Sequence, residues 1–112
     1  YIYADMNRNL DRALTLALKA KELIPGSGDV TDTLGWVYLK KGAVGMAKNR
    51  FIEAIQLNPG HPVFHYHLGL AYYQEKEFQK AEGAFREAIK LGLGKEDAAE
   101  ARKVIAAMRA KG

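Results

Sequence analysis

Cysteine is absent from the chain, so it has no disulfide, no thiolate metal site and no cysteine nucleophile. Compartment stays open on that ground. Ser27 is the sole serine, and it sits in a Pro-Gly-Ser-Gly-Asp turn where it reads as a helix cap rather than a nucleophile. No Gly-rich phosphate loop is present either, so no catalytic residue and no cofactor is expected. No apolar run approaches the roughly 20 residues that a membrane-spanning helix needs, and no membrane insertion is expected. Neither sign of charge dominates: 17 Lys and Arg stand against 13 Asp and Glu, and the formal net charge of +4 is too small to imply nucleic acid or a membrane surface.

The 112 residues suffice for one domain, and 48% hydrophobic with 27% charged residues is the composition of a chain that folds. The chain opens on Tyr1 rather than Met, inside a helical pattern, and reads as an excised piece of a longer protein.

Its organisation is repetitive. Sliding the sequence by 34 residues aligns 28–61 with 62–95 and produces ten identities: Leu34/Leu68, Gly35/Gly69, Tyr38/Tyr72, Ala47/Ala81, Phe51/Phe85, Glu53/Glu87, Ala54/Ala88, Ile55/Ile89, Leu57/Leu91 and Gly60/Gly94. Average composition would give about two. The register runs backwards through Ala13, Ala20, Leu23, Pro25 and Gly26, so an incomplete third copy opens the chain. Within a copy, Leu34, Val37, Tyr38 and Lys41, then Ala47, Phe51, Ala54 and Ile55, follow helical spacing on either side of Gly42. Each copy is a helical hairpin. The expected elements are a helix tail at 1–6 and helices at 9–23, 29–41, 44–57, 62–75, 78–91 and 96–110, with no strand.

Hairpins of this length carrying Leu-Gly-x-x-Tyr, then Ala, Phe and Ala, resemble tetratricopeptide repeats (TPRs). The resemblance implies an all-α, right-handed α-solenoid: a partial repeat at 1–27, repeats at 28–61 and 62–94, and a C-terminal capping helix at 95–112. Thr31 and His65 stand where the family often has Trp, and Leu93 where it has Pro. The extra residue that would align Tyr3 is expected in a turn at Met6-Asn7-Arg8-Asn9. The run from Asp32 to Tyr38 is similar to segments of bacterial multi-repeat TPR proteins.

The repeated residues read as core. Gly35 and Gly69 each cost about 1 kcal/mol against Ala in a helix, a penalty tolerable where a neighbouring helix must come close. Function is expected at positions that vary between copies. The resemblance implies a concave groove lined by the first helices of successive hairpins, with a protein or peptide held by Asp32, Trp36, Leu39 and Lys40 from one copy and Tyr66, His67, Leu70 and Tyr73 from the next. The second reading is self-assembly through an apolar face around Ile2, Leu10, Leu14 and Leu18. Some TPRs grip the carboxylate of chaperone tails with basic and Asn side chains. Here those positions fall on Asp32, Trp36, His67, Asp97 and Ala101, and none matches. His61, His65 and His67 lie within one stretch but on different faces, so no metal site is expected.

Overall fold

A computed structural model describes residues 6–111, and these form six helices: α1 (Met6–Leu23), α2 (Gly28–Lys40), α3 (Val44–Leu57), α4 (Pro62–Gln74), α5 (Phe78–Lys90) and α6 (Lys95–Lys111). No strand occurs among the described residues. Local chemistry sets the helix limits. Ser27 Oγ accepts from the Val30 N–H at 3.1 Å, capping α2, and Pro62 opens α4 where its missing N–H is harmless. Each hairpin turn closes the same way: Ala43 N–H donates to Tyr38 O, Glu77 N–H to Tyr72 O, and Leu93 N–H to Ala88 O. That 6→1 bond needs a left-handed residue before it, supplied by Gly42 (φ 84°), Lys76 (φ 61°) and Gly92 (φ 100°).

The helices pack in sequence, α1 on α2, α2 on α3 and onward to α6, with α2 also touching α4. Stacking of successive hairpins in this way gives an α-solenoid with α2, α4 and α6 as its inner layer and α1, α3 and α5 outside. The repeated alanines Ala47, Ala54, Ala81 and Ala88 and the rings of Phe51 and Phe85 are fully buried between helices. A Cβ on Gly35 would come within 2.7 Å of the Phe51 ring, and one on Gly69 within 2.6 Å of Phe85, so glycine is required for the helices to close. Lys21 Nζ donates to Pro25 O, Thr31 Oγ1 and Glu53 Oε2, each at 2.7 Å, and so ties the end of α1 to α2 and α3.

Two expectations at the N-terminal end change. The stretch from Met6 to Asn9 is the first turn of α1 and not a turn between helices, since nothing in it breaks a helix. On α1, Leu14 packs against Ala17, Leu34 and Val37, so it belongs to the interior, whereas Leu16 (68% exposed), Leu18 and Leu23 (73%) face outward. Ile2 lies outside the described residues.

Candidate partner-binding groove

The inner layer presents the side chains that differ between the two hairpins. Trp36 projects from α2, half-buried, with the His67 ring of α4 tilted against it at 4.5 Å between centroids. Lys40, one turn on, lays its ammonium over the same indole at 4.5 Å, an attraction of the ring's negative face for a cation. Beneath them His67 Nδ1 lies 2.9 Å from both carboxylate oxygens of Asp32. A carboxylate only accepts, so Nδ1 carries the proton and donates. The pair is mostly shielded, at 16% and 10% side-chain exposure. One step along the layer, Leu70 is half-buried between the two apolar clusters, and Tyr73 packs at 5.8 Å on Phe78.

The layer ends on α6. Tyr66 points from α4 toward it, among Ala98, Ala101 and Ile105, with its ring 5.9 Å from Phe85. Burial pushes the Tyr66 phenol above its ordinary pKa, and the charges of Asp97 and Glu100 raise it further. Asp97 and Glu100 are themselves exposed on α6.

A family model described as tetratricopeptide repeat matches residues 33–98, more than half of the sequence, from within α2 to the start of α6. The chain belongs to the tetratricopeptide repeat family. A curated relative, an uncharacterized protein ycf37 of Pyropia yezoensis, is 32% identical over 73 residues. The match takes in 65% of this chain and only 41% of the relative's length. Among solved structures, the type III secretion translocator chaperone SycD of Yersinia enterocolitica superposes with a TM-score of 0.86 at 17% identity, over 94% of this chain and 75% of that one. PcrH, in complex with the chaperone binding region of PopD, superposes with a TM-score of 0.83 at 19% identity, over 94% and 82%. At these identities the likeness establishes the TPR fold.

Within that TPR framework the expected groove residues separate into two groups. Trp36, Lys40, His67, Leu70 and Tyr73 keep partly or fully open faces. Leu39 and Tyr66 do not: at 4% and 8% exposure their side chains belong to the core, Leu39 against Ala47, Phe51, Leu68 and Ala71, and Tyr66 against α5 and α6. They lie on the edge of each helix that meets the next hairpin, so stacking covers them. Asp32, also buried, has its carboxylate taken up by His67 rather than turned to a ligand.

Asp97 and Glu100 on α6 stand one further 34-residue step from Val63 and Tyr66. The three histidines take three separate partners: His61 stacks at 4.0 Å on Phe64, His65 Nε2 lies 2.9 Å from Pro59 O, and His67 holds Asp32. Among the described residues no three His, Asp or Glu side chains converge as metal ligands, and no helix is long and apolar enough to cross a membrane.

Proposed function

We propose that this TPR domain is a protein-interaction scaffold that holds an extended or helical segment of a partner protein along the inner face of α2 and α4. The observation that carries the reading is Trp36, a large amphipathic side chain fixed by His67 and Lys40 yet left half-open on the inner layer. Rigid aromatic anchors of this kind dominate binding energy where a segment lies on them. Leu70 and Tyr73 extend the apolar strip, and Lys40 supplies a polar edge. PcrH, similar in fold, holds a segment of another protein, which supports the same use here.

The proposed division of the chain is a partial repeat at 1–27, repeats at 28–61 and 62–94, and a capping helix at 95–112. In support, Arg102 and Lys103 stand one repeat beyond Leu68 and Gly69, exposed, where a further hairpin would need an apolar residue and a glycine.

Trp36 is the only tryptophan, so its emission reports on the groove directly. Peptides selected from a display library on the intact domain, then titrated as synthetic peptides, should shift that emission. Trp36→Ala and Tyr73→Ala should each weaken binding by about tenfold or more, read by anisotropy of labelled peptide. Equal binding by the variants would reject the groove.

A second reading, self-association through α1, is favoured by the exposure of Leu16, Leu18 and Leu23. Sedimentation showing a monomer at every concentration would reject it.

A further inference from the structure

Between α5 and α6 the surface opens into two clefts. The first, of about 350 Å³, is lined by Ile89 and Ile105 with Arg86, Lys90 and Arg102. The second, of about 290 Å³, is lined by Phe78, Gln79 and Met108 with Glu82 and Arg109. Arg86 Nε donates to Glu82 Oε2 at 2.8 Å and so joins one cleft to the other. Their floor is apolar, with Ile105 and Met108 buried in the core and Ile89 and Phe78 half-buried. Both edges are basic. The charged residues lining the clefts are four cations and one carboxylate, and that carboxylate, Glu82, is already held by Arg86 and Arg109. The other charged residues of α5 and α6, of either sign, line neither cleft.

The basic rim is not a property of the repeat. One repeat earlier, the places of Arg86, Lys90, Arg102 and Arg109 are taken by Ile52, Gln56, Leu68 and Glu75, none of them a cation. An ion pair is kept at the same two places with its signs exchanged: Lys48 of α3 with Glu75 after α4 becomes Glu82 of α5 with Arg109 of α6. Either polarity would tie the helices equally well. Lys90 and Arg102 are exposed and make no ion pair among the described residues. A surface that serves solubility alone intersperses both signs, whereas this rim is of one sign around an apolar floor.

We propose that the cleft between α5 and α6 docks an acidic amphipathic helix of a partner protein, its apolar stripe resting on Ile89 and Phe78 and its flanking carboxylates meeting Lys90 and Arg102. This surface is separate from the Trp36 groove and does not depend on it. The 13 residues of α5 run for about 20 Å at roughly 1.5 Å per residue, the length of a helix of three to four turns. A phosphate backbone would satisfy the rim but leave the apolar floor unmatched, which favours a protein segment over nucleic acid. A basic helix is turned away by the same cations, so the site selects by repulsion as well as attraction.

The test uses fluorescein-labelled helical peptides of about 15 residues with one leucine face, flanked by glutamate, lysine or glutamine, titrated into the intact chain at low and at physiological salt. By anisotropy, the glutamate peptide should bind about tenfold tighter than the lysine peptide, with the gap narrowing as salt is added. Lys90→Glu with Arg102→Glu should reverse the order, and Lys90→Gln with Arg102→Gln, the milder change, should level it. Trp36 emission should not move, because the tryptophan lies on the other surface. Equal binding of the glutamate and lysine peptides, or an order that both double variants leave intact, overturns the proposal. So does a Trp36 shift that tracks binding, which would place the peptide in the inner groove. A serine-faced glutamate peptide or a single-stranded oligonucleotide should bind about tenfold more weakly than the leucine-faced glutamate peptide. If either binds as tightly, the rim attracts any polyanion and the helix assignment is overturned.

Discussion

Asp32 on α2 and His67 on α4 are bound to one another across the inner layer, Nδ1 donating to both carboxylate oxygens at 2.9 Å. They are one repeat and one residue apart in sequence, so the bond measures the stacking of adjacent hairpins. A double-mutant cycle with Asp32→Asn and His67→Gln should return a coupling of about 1 kcal/mol in urea denaturation. Strict additivity would mean the bond is absent in solution.

Glycine has opposite meanings at two kinds of helical position. Gly35→Ala and Gly69→Ala drive a methyl into Phe51 and Phe85, and each should destabilise by about 1–3 kcal/mol despite better helix propensity. Gly83, inside α5, has nothing within 4 Å of the same added atom. Gly83→Ala should therefore stabilise by roughly 0.5–1 kcal/mol. The contrast in sign is the check, read from denaturation midpoints at constant slope.

Lys76 holds a left-handed backbone in the turn where the preceding hairpin has Gly42. Lys76→Gly should raise stability by about 0.5–1 kcal/mol, because the side chain is strained there and the helix has already ended. A lower melting temperature for this variant would contradict the turn geometry.

Acid should loosen the outer pairs. Hydrogen bonds from Arg109, then from Arg86, hold the Glu82 carboxyl below its usual range, and Lys48 does the same for Glu77. A lowered folded pKa contributes stability above the unfolded carboxylate value of about 4.3 and loses it as pH falls through the folded value. Glu75 and then Glu77 raise Lys48, whose contribution is present below the ordinary lysine value and lost as pH rises through the raised one. Melting temperature should thus fall below about pH 4, and Glu82→Gln should be less stable than wild type at neutral pH yet equal to it in strong acid. The difference should be small and shrink with salt, since these groups are exposed.

Helix limits were legible to within a residue or so from α2 to α6. Pro62, Ser27 and Gly42 act locally, and the repeat carried the helical spacing of one copy over to the next. Helix α1 was less legible, because Met6 to Asn9 contain no breaker and the repeat register alone suggested a turn. The TPR family itself was legible from Leu-Gly-x-x-Tyr and its partners. The inner-layer face of each helix was legible too, but which of its residues stay open was not. Whether Leu39 or Trp36 is covered depends on the rotation between hairpins, which one repeat's periodicity does not specify. The Asp32–His67 bond was hidden for the same reason: it joins two copies, and comparing copies reveals likeness rather than contact.

The inner layer is joined unevenly, by a shielded hydrogen-bonded pair and tilted rings between α2 and α4, but between α4 and α6 by the apolar packing of Tyr66, Val63, Leu70 and Tyr73 in the cluster that holds Ala98, Ala101 and Ile105, with no side-chain hydrogen bond among the described residues. Mechanically the solenoid is a spring with one bolted coil. On that reading the inner layer should give most easily at α6, whose side-chain bonds among the described residues run only to α5, through Arg109 and Glu82, and a pull along the axis should open that end first.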